Sequence, residues 1–176
     1  MFAGLSVVVY FAFHGAVFLT LRATGDLCER ALKAARMLAL PATALAAAFM
    51  IWTVVVAVDR NDKNVFPPVL PAAIAIAALV LAVVFVHRRR SVWAFTMTGL
   101  VAVALVATLF TSLYPRVMVS STDFANSLTV SGSASAHYTL AVMSIVALIF
   151  VPLVLLYQGW TYHVFRARVG GGEPTH

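Results

Sequence analysis

Hydrophobic residues occur along this chain in long runs separated by short clusters of charged or polar residues. A helix that crosses a membrane needs about 20 consecutive apolar residues, because it rises about 1.5 Å per residue through a hydrocarbon core about 30 Å thick. Runs of that length without Asp, Glu, Lys or Arg occupy Ala3–Leu21, Met37–Val58, Phe66–Val86, Val92–Tyr114 and Tyr138–Tyr162. They are too long for barrel strands, and a helix satisfies its own backbone in lipid. The pattern therefore predicts an all-α, polytopic membrane bundle of five transmembrane helices.

The same pattern divides the chain into a transmembrane domain over residues 1–166 and a disordered cytoplasmic tail over residues 167–176. An external loop is expected over residues 115–137. It contains most of the polar stretch SSTDFANSLTVSGSASAHYTL, whose Ser, Asn, Gly and Asp residues suit a compact turn.

Prolines are expected where transmembrane helices tolerate them. Pro41 and Pro71 fall in the first turns of the predicted second and third helices. Pro152 lies inside the fifth helix, where its ring removes one backbone hydrogen bond and should bend the helix. We interpret it as a packing kink, with a functional hinge as the alternative.

Charge in the loops predicts the direction of the helices. Short loops that are richer in Lys and Arg stay in the cytoplasm. The first loop, the third loop and the tail carry the larger group: Arg22, Arg30, Lys33, Arg36, Arg88, Arg89, Arg90, Arg166 and Arg168. The second and fourth loops carry only Arg60, Lys63 and Arg116. We therefore expect the N-terminus outside and the C-terminus in the cytoplasm.

Composition agrees with a membrane protein, since 62% of the residues are hydrophobic and only 10% are charged, against roughly 25% charged in soluble domains. The net charge of +6 is interpreted as a topology signal rather than as a sign of a nucleic-acid partner. Cys28 is the only cysteine, which excludes an internal disulfide, a CxxC metal site and a CxxCH haem attachment within this chain.

His14 is the ionisable side chain, tyrosine aside, that lies near the middle of a predicted crossing. Burying such a group in lipid costs free energy that a partner must offset, so it is a candidate functional residue. A bis-histidine haem would need a second His at similar depth, whereas the other histidines lie at the boundaries or in the tail: His87, His137, His163 and His176. A proton-relay or quinone-contacting role and a neutral His bonded to a neighbouring helix both stay open.

Two further polar features have simple structural interpretations. The run HRRR at His87–Arg90 is most simply a topology anchor, and it could also bind anionic lipid head groups. Gln158 in the fifth helix is expected to hydrogen-bond to another helix. The sequence shows no paired carboxylates, no nucleophile with a base and no phosphate-binding glycine loop. No catalytic, cofactor-binding or metal-ligating residue is therefore assigned.

The last third of the chain carries a family resemblance. LYPRVMVSSTDFANSLTV and HYTLAVMSIVALIFVPLVLLYQGWTYHVFRARV resemble the end of subunit II of the cytochrome bd family of quinol oxidases. FHGAVFLTLRATGDLCERA and VWAFTMTGLVAVALVATLFTSLYP resemble earlier helices of that subunit. The likeness implies the last five of eight helices, starting part-way along the fourth. The chain departs from the family pattern with VSGSAS at Val130–Ser135 and with His163, where Trp is usual.

The resemblance implies a role in a respiratory complex of the bacterial plasma membrane that oxidises quinol and reduces dioxygen to water. Haem b and haem d are expected in the partner subunit I, and none in this chain. The chain is expected to support the haem subunit and the proton route, to contact membrane lipids and to hold a structural quinone. A separate chain could supply the missing N-terminal helices. The alternative is a transporter or structural membrane module unrelated to respiration. Inverted repeats or helices broken near mid-membrane would favour a transporter, and the sequence shows neither clearly.

Overall fold

The computed structural model describes residues 1–60, 68–114, 116–118, 120 and 127–164. They form two compact units, one within residues 1–114 and one within residues 115–167. The first unit contains α1 (Phe2–Arg22), α2 (Asp26–Arg60), α3 (Val69–His87) and α4 (Ser91–Leu113). The second contains β1 (Arg116–Met118), β2 (Leu128–Thr129), α5 (Val130–Ser133) and α6 (His137–Val164).

The predicted fold class is confirmed. Within the described residues, α1, α2, α3, α4 and α6 are each long and apolar enough to cross a membrane. In the first unit α1 packs on α2 and α3 packs on α4, and further contacts join α2 to α3, α1 to α4 and α2 to α4. The result is a four-helix bundle in which hairpins with connections of three residues, 23–25 and 88–90, place neighbouring helices antiparallel.

Small side chains allow these helices to approach one another closely. The buried face of α2 is lined mainly by alanine, at Ala35, Ala39, Ala42 and Ala46. Opposite this face, α1 contributes the large buried rings of Tyr10 and Phe13. Lipid tails are as apolar as a buried side chain, so such helices associate through close packing rather than through the hydrophobic effect. A stripe of methyl groups therefore provides the space that the rings of α1 fill.

The second helix differs from its predicted span. α2 begins at Asp26, eleven positions before Met37, and its N-terminal part carries charges on a largely exposed surface. The expectation that Pro41 lies in a first turn is wrong, because Pro41 lies inside α2. The apolar run marks only the stretch that suits lipid, whereas backbone hydrogen bonding carries the helix on through charged residues. Pro71 does lie in the first turn of α3, and Pro152 lies inside α6, as predicted.

The second unit closes part of the polar stretch into a turn. β1 pairs antiparallel with β2, with Arg116 opposite Thr129 and Met118 opposite Leu128. The Ser120 N–H donates to Ser127 Oγ at 3.2 Å. Thr129 caps α5, since its Oγ1 accepts the Gly132 N–H at 3.1 Å. The departure VSGSAS thus begins with a capped helical turn. The expected tail over residues 167–176 lies outside the described residues.

Candidate functional site

A polar contact joins α1 to α4 inside the apolar bundle. His14 Nδ1 lies 2.8 Å from Thr98 Oγ1, and the Tyr10 hydroxyl donates to the Thr98 carbonyl. Tyr10 and Thr98 are fully buried, whereas His14 is half-buried. Tyr10 and His14 are four residues apart on α1, so helical periodicity puts both on the face that meets α4.

The hydrogen bonds of Thr98 determine which ring nitrogen of His14 can still accept a proton or a hydrogen bond. The Thr98 hydroxyl donates to the Phe95 carbonyl at 2.9 Å. A hydroxyl has a single proton, so in this arrangement its oxygen accepts and His14 Nδ1–H donates. The neutral imidazole then keeps its lone pair on Nε2. The site can therefore hold a neutral histidine in one tautomer, with one ring nitrogen left to accept a proton or a hydrogen bond.

Aromatic rings surround this histidine. The ring of Phe95 stacks on it, with centroids 5.0 Å apart and an interplanar angle of 24°. Tyr10 lies nearly parallel to the imidazole at 6.4 Å, and Phe11 meets its edge at the same distance. The ring contacts and the bond to Thr98 hold the imidazole plane in one orientation. Within the described residues, the recorded contacts of His14 include no carboxylate that would stabilise an imidazolium.

The described histidines other than His14 lie at helix ends. His87 lies at the end of α3, where its Nδ1 is 2.9 Å from the Val83 carbonyl oxygen. His137 and His163 belong to the first and last turns of α6. Among the described residues there is also no group of three or more His, Cys, Asp or Glu side chains that could hold a metal ion.

Sequence reasoning named His14 but missed its partners. Thr98 and Tyr10 lie within apolar runs, where Thr and Tyr are common, so only the polarity of their side chains could have indicated them. Predicting their contacts with each other and with His14 also required knowing that α1 adjoins α4. Gln158 lies on α6 with an exposed side chain. Gln158 belongs to the second unit, whereas His14 belongs to the first.

The basic N-terminal part of α2 and the turn between α3 and α4 meet at one end of the bundle. Arg89 Nη1 lies 2.8 Å from Glu29 Oε1, and Arg36 Nη2 donates to the His87 carbonyl at 3.4 Å. Both side chains of the Arg89–Glu29 pair are 60% exposed, so the pair contributes at most about 1 kcal/mol. The contacts place the N-terminal part of α2 beside the turn between α3 and α4, as antiparallel neighbouring helices require.

Comparison with known proteins matches this chain to one family along nearly all of its length. A family model described as cytochrome bd terminal oxidase subunit II matches residues 1–165. Cytochrome bd ubiquinol oxidase subunit 2 of Bacillus subtilis (strain 168) is 38% identical over 176 residues, which cover 97% of this chain and 50% of that protein. Cytochrome bd-I ubiquinol oxidase subunit 2 of Escherichia coli (strain K12) is 32% identical over 97 residues, which cover 55% of this chain and 26% of that protein.

The chain spans at most about half the length of these curated relatives. The match therefore concerns part of the relatives' fold, and it runs through α1–α4 as well as through the polar stretch and α6. The resemblance in the sequence is confirmed: the chain belongs to the cytochrome bd terminal oxidase subunit II family.

Proposed function

We propose that this chain is a membrane subunit, without a haem of its own, of a cytochrome bd-type quinol:dioxygen oxidoreductase in the respiratory chain. The match to a named subunit 2 over 97% of the chain carries this proposal. In the complex the chain contributes a packed helical surface that supports a haem-binding subunit I and borders the proton route. The comparisons give no support to a transporter or to an unrelated structural module.

The positions of the histidines support the placement of haem b and haem d in the partner subunit. His14 is the histidine within the first unit's apolar core region, and its Nδ1 already bonds to Thr98. The remaining described histidines lie at helix ends, so none of them shares the mid-helix position of His14 and could pair with it on an iron. The assembled complex also holds a structural quinone.

We also propose the orientation and the domain division. The basic end of the bundle, where the N-terminal part of α2 meets the turn between α3 and α4, lies in the cytoplasm, because short segments rich in Lys and Arg stay there. Residues 1–166 then form the transmembrane domain, the N-terminus is outside, and residues 167–176 form a cytoplasmic tail in a bacterial plasma membrane. Gln158 hydrogen-bonds to a neighbouring helix in the assembled complex.

Copurification tests the proposed assembly. We expect that this chain, expressed with its neighbouring genes and purified through a tag on it, brings down a haem-binding subunit with the absorbance of haem b and haem d. The same preparation should oxidise quinol and consume dioxygen. A tagged, unrelated membrane protein of similar size serves as the control. A stable preparation without haem absorbance and without a haem subunit would contradict the oxidase assignment.

For His14 we propose a structural role, a neutral hydrogen bond between α1 and α4, with a proton relay as the alternative. We expect His14→Gln to keep oxidase turnover within about two-fold, because the amide can still donate to Thr98 and each interhelical bond contributes only about 0.6 kcal/mol. Turnover and haem absorbance of the purified complex are the measurements.

A second variant tests the structural role of His14 from the Thr98 side of the hydrogen bond. Thr98→Val removes the hydroxyl and nearly conserves the volume, so under the structural role it should lower thermal stability slightly and leave turnover unchanged. A loss of turnover by an order of magnitude in His14→Gln, with haem content unchanged, would replace the structural role with the relay.

A further inference from the structure

A surface pocket lies where α1 ends and α4 begins, at the basic end of the first unit. Its volume is about 630 Å³, and it is lined by Thr20, Leu21, Arg89, Arg90, Ser91, Val92 and Trp93. The lining combines two guanidinium groups with apolar side chains. This pocket is separate from the contact between His14 and Thr98, and neither the fold nor the proposed oxidase role requires it.

The turn between α3 and α4 sets the positions of the two arginines. The Arg90 N–H donates to the Phe85 carbonyl at 2.9 Å and the Arg89 N–H to the Val86 carbonyl at 3.2 Å. These bonds form a Schellman motif, which usually has glycine at the position that Arg89 occupies with φ of 55°. A side chain there costs about 1 kcal/mol. The turn thus carries an arginine at a position where the backbone favours glycine.

The charges facing the pocket are positive. Arg89 bonds to Glu29 through its two terminal nitrogens, at 2.8 and 3.4 Å, and this exposed pair leaves other N–H groups of the guanidinium available. Arg90 is exposed, and no ion pair to it is recorded within the described residues. The first turn of α4 adds no acidic residue. The net local charge therefore favours an anion.

The apolar part of the lining indicates what kind of anion fits. Val92 and Trp93 lie next to the arginines and remain 62% and 53% exposed. They begin the membrane-spanning helix α4, so they lie where lipid acyl chains meet head groups, a level at which Trp is enriched. A free anion would use only the arginines, whereas an amphiphile would use both parts of the lining.

We propose that this pocket binds the phosphate group of an anionic phospholipid of the surrounding leaflet. Arg89 and Arg90 bind the phosphate oxygens, because guanidinium groups make paired hydrogen bonds to phosphate. Val92 and Trp93 pack against the start of an acyl chain. The HRRR run then has a role beyond topology, and this role does not depend on the oxidase assignment.

Lipid binding to the purified complex tests the proposal. The tagged complex is equilibrated with mixed micelles in which phosphatidylglycerol is titrated into phosphatidylcholine, and bound phosphatidylglycerol is counted by native mass spectrometry. We expect the double variant Arg89→Gln with Arg90→Gln to lower the affinity of one phosphatidylglycerol site about 25-fold. Each basic residue near an anionic surface raises the binding affinity about five-fold. Unchanged phosphatidylglycerol binding would overturn the proposal.

Matched variants separate the pocket from general charge. Arg30→Gln with Lys33→Gln removes the same charge from exposed positions of α2 at the same end of the bundle, and we expect it to leave the site intact. An equal loss in that variant would overturn the proposal. Glu29→Gln breaks the ion pair of Arg89 but keeps both arginines, so binding should be retained or increased. If Glu29→Gln lost phosphatidylglycerol binding, the broken ion pair with Glu29 would explain the weaker binding of the arginine variants, and the proposed contact of the arginines with phosphate would be overturned.

Two further arms keep the test decisive. If the Gln variant does not insert, Arg89→Lys with Arg90→Lys keeps the topological charge, and binding should still fall about five-fold because an ammonium group lacks the paired donors. Wild-type binding in that variant would overturn the proposal. A large excess of inorganic phosphate, compared with chloride of equal ionic strength, should not displace the lipid. Displacement would indicate a site for free phosphate instead. Each arm measures bound lipid, so its failure leaves the oxidase assignment untouched.

Discussion

Replacing Phe13 by alanine is expected to lower the free energy of unfolding by about 3 kcal/mol. The Phe13 side chain has no exposed surface and packs in one cluster with Ala35, Ala39 and Ala42 of α2. Alanines cannot move to fill the space that a missing ring leaves, so the contacts between α1 and α2 are lost rather than rearranged. Unfolding of the purified complex in mixed micelles with increasing sodium dodecyl sulfate measures the change.

Phe110→Ala is the matched control for this prediction. Phe110 lies on α4 and is 75% exposed, so its ring makes few contacts with the other helices of this chain. We expect a change within about 0.5 kcal/mol. Equal losses for the two phenylalanines would contradict the buried packing of α1 on α2.

Enlarging Ala42 to leucine is expected to destabilise the bundle by about 2 kcal/mol or more. Ala42 is fully buried on the stripe of small residues that α2 presents to its neighbours. An isobutyl group there must push a neighbouring helix away, which weakens contacts along its length because packed helices move as units. The same unfolding measurement should show the loss, and less complex should be recovered from membranes.

Ala44→Leu provides the comparison on the same helix. Ala44 lies two residues further along α2 and is exposed, so its enlarged side chain extends away from the other helices of this chain. We expect no loss of stability, since leucine is also a good helix former. If Ala44→Leu were as damaging as Ala42→Leu, side-chain size at the helix interface would not be the cause.

The long apolar runs of the sequence identified the long helices better than they identified the helix ends. Within the described residues, the apolar runs predicted each of the five long helices, because an apolar segment in lipid satisfies its own backbone hydrogen bonds by forming a helix. The start of α2 at Asp26 was missed. Hydropathy measures which residues tolerate lipid, whereas a helix continues as long as its backbone bonds form. Pro41 was consequently placed near a helix start although it lies well inside α2.

The candidate site shows the same division. An ionisable side chain in an apolar run is visible in the sequence, so His14 could be named directly. Its bond to Thr98 joins residues 84 positions apart, and nothing in either local stretch encodes that contact. The basic run at Arg88–Arg90 was likewise visible, but its position beside Thr20 and Leu21 at the end of α1 was not.

The sequence by itself determined that this is a membrane helical protein of the cytochrome bd subunit II family, because length, hydropathy and motifs are properties of contiguous residues. Only the tertiary structure decided which helices adjoin, which face of α1 meets Thr98, and that two arginines share a pocket with Trp93. The physical reason is that helix packing depends on side-chain shape between distant segments. Small residues on one helix and rings on another specify a contact only when they are brought together.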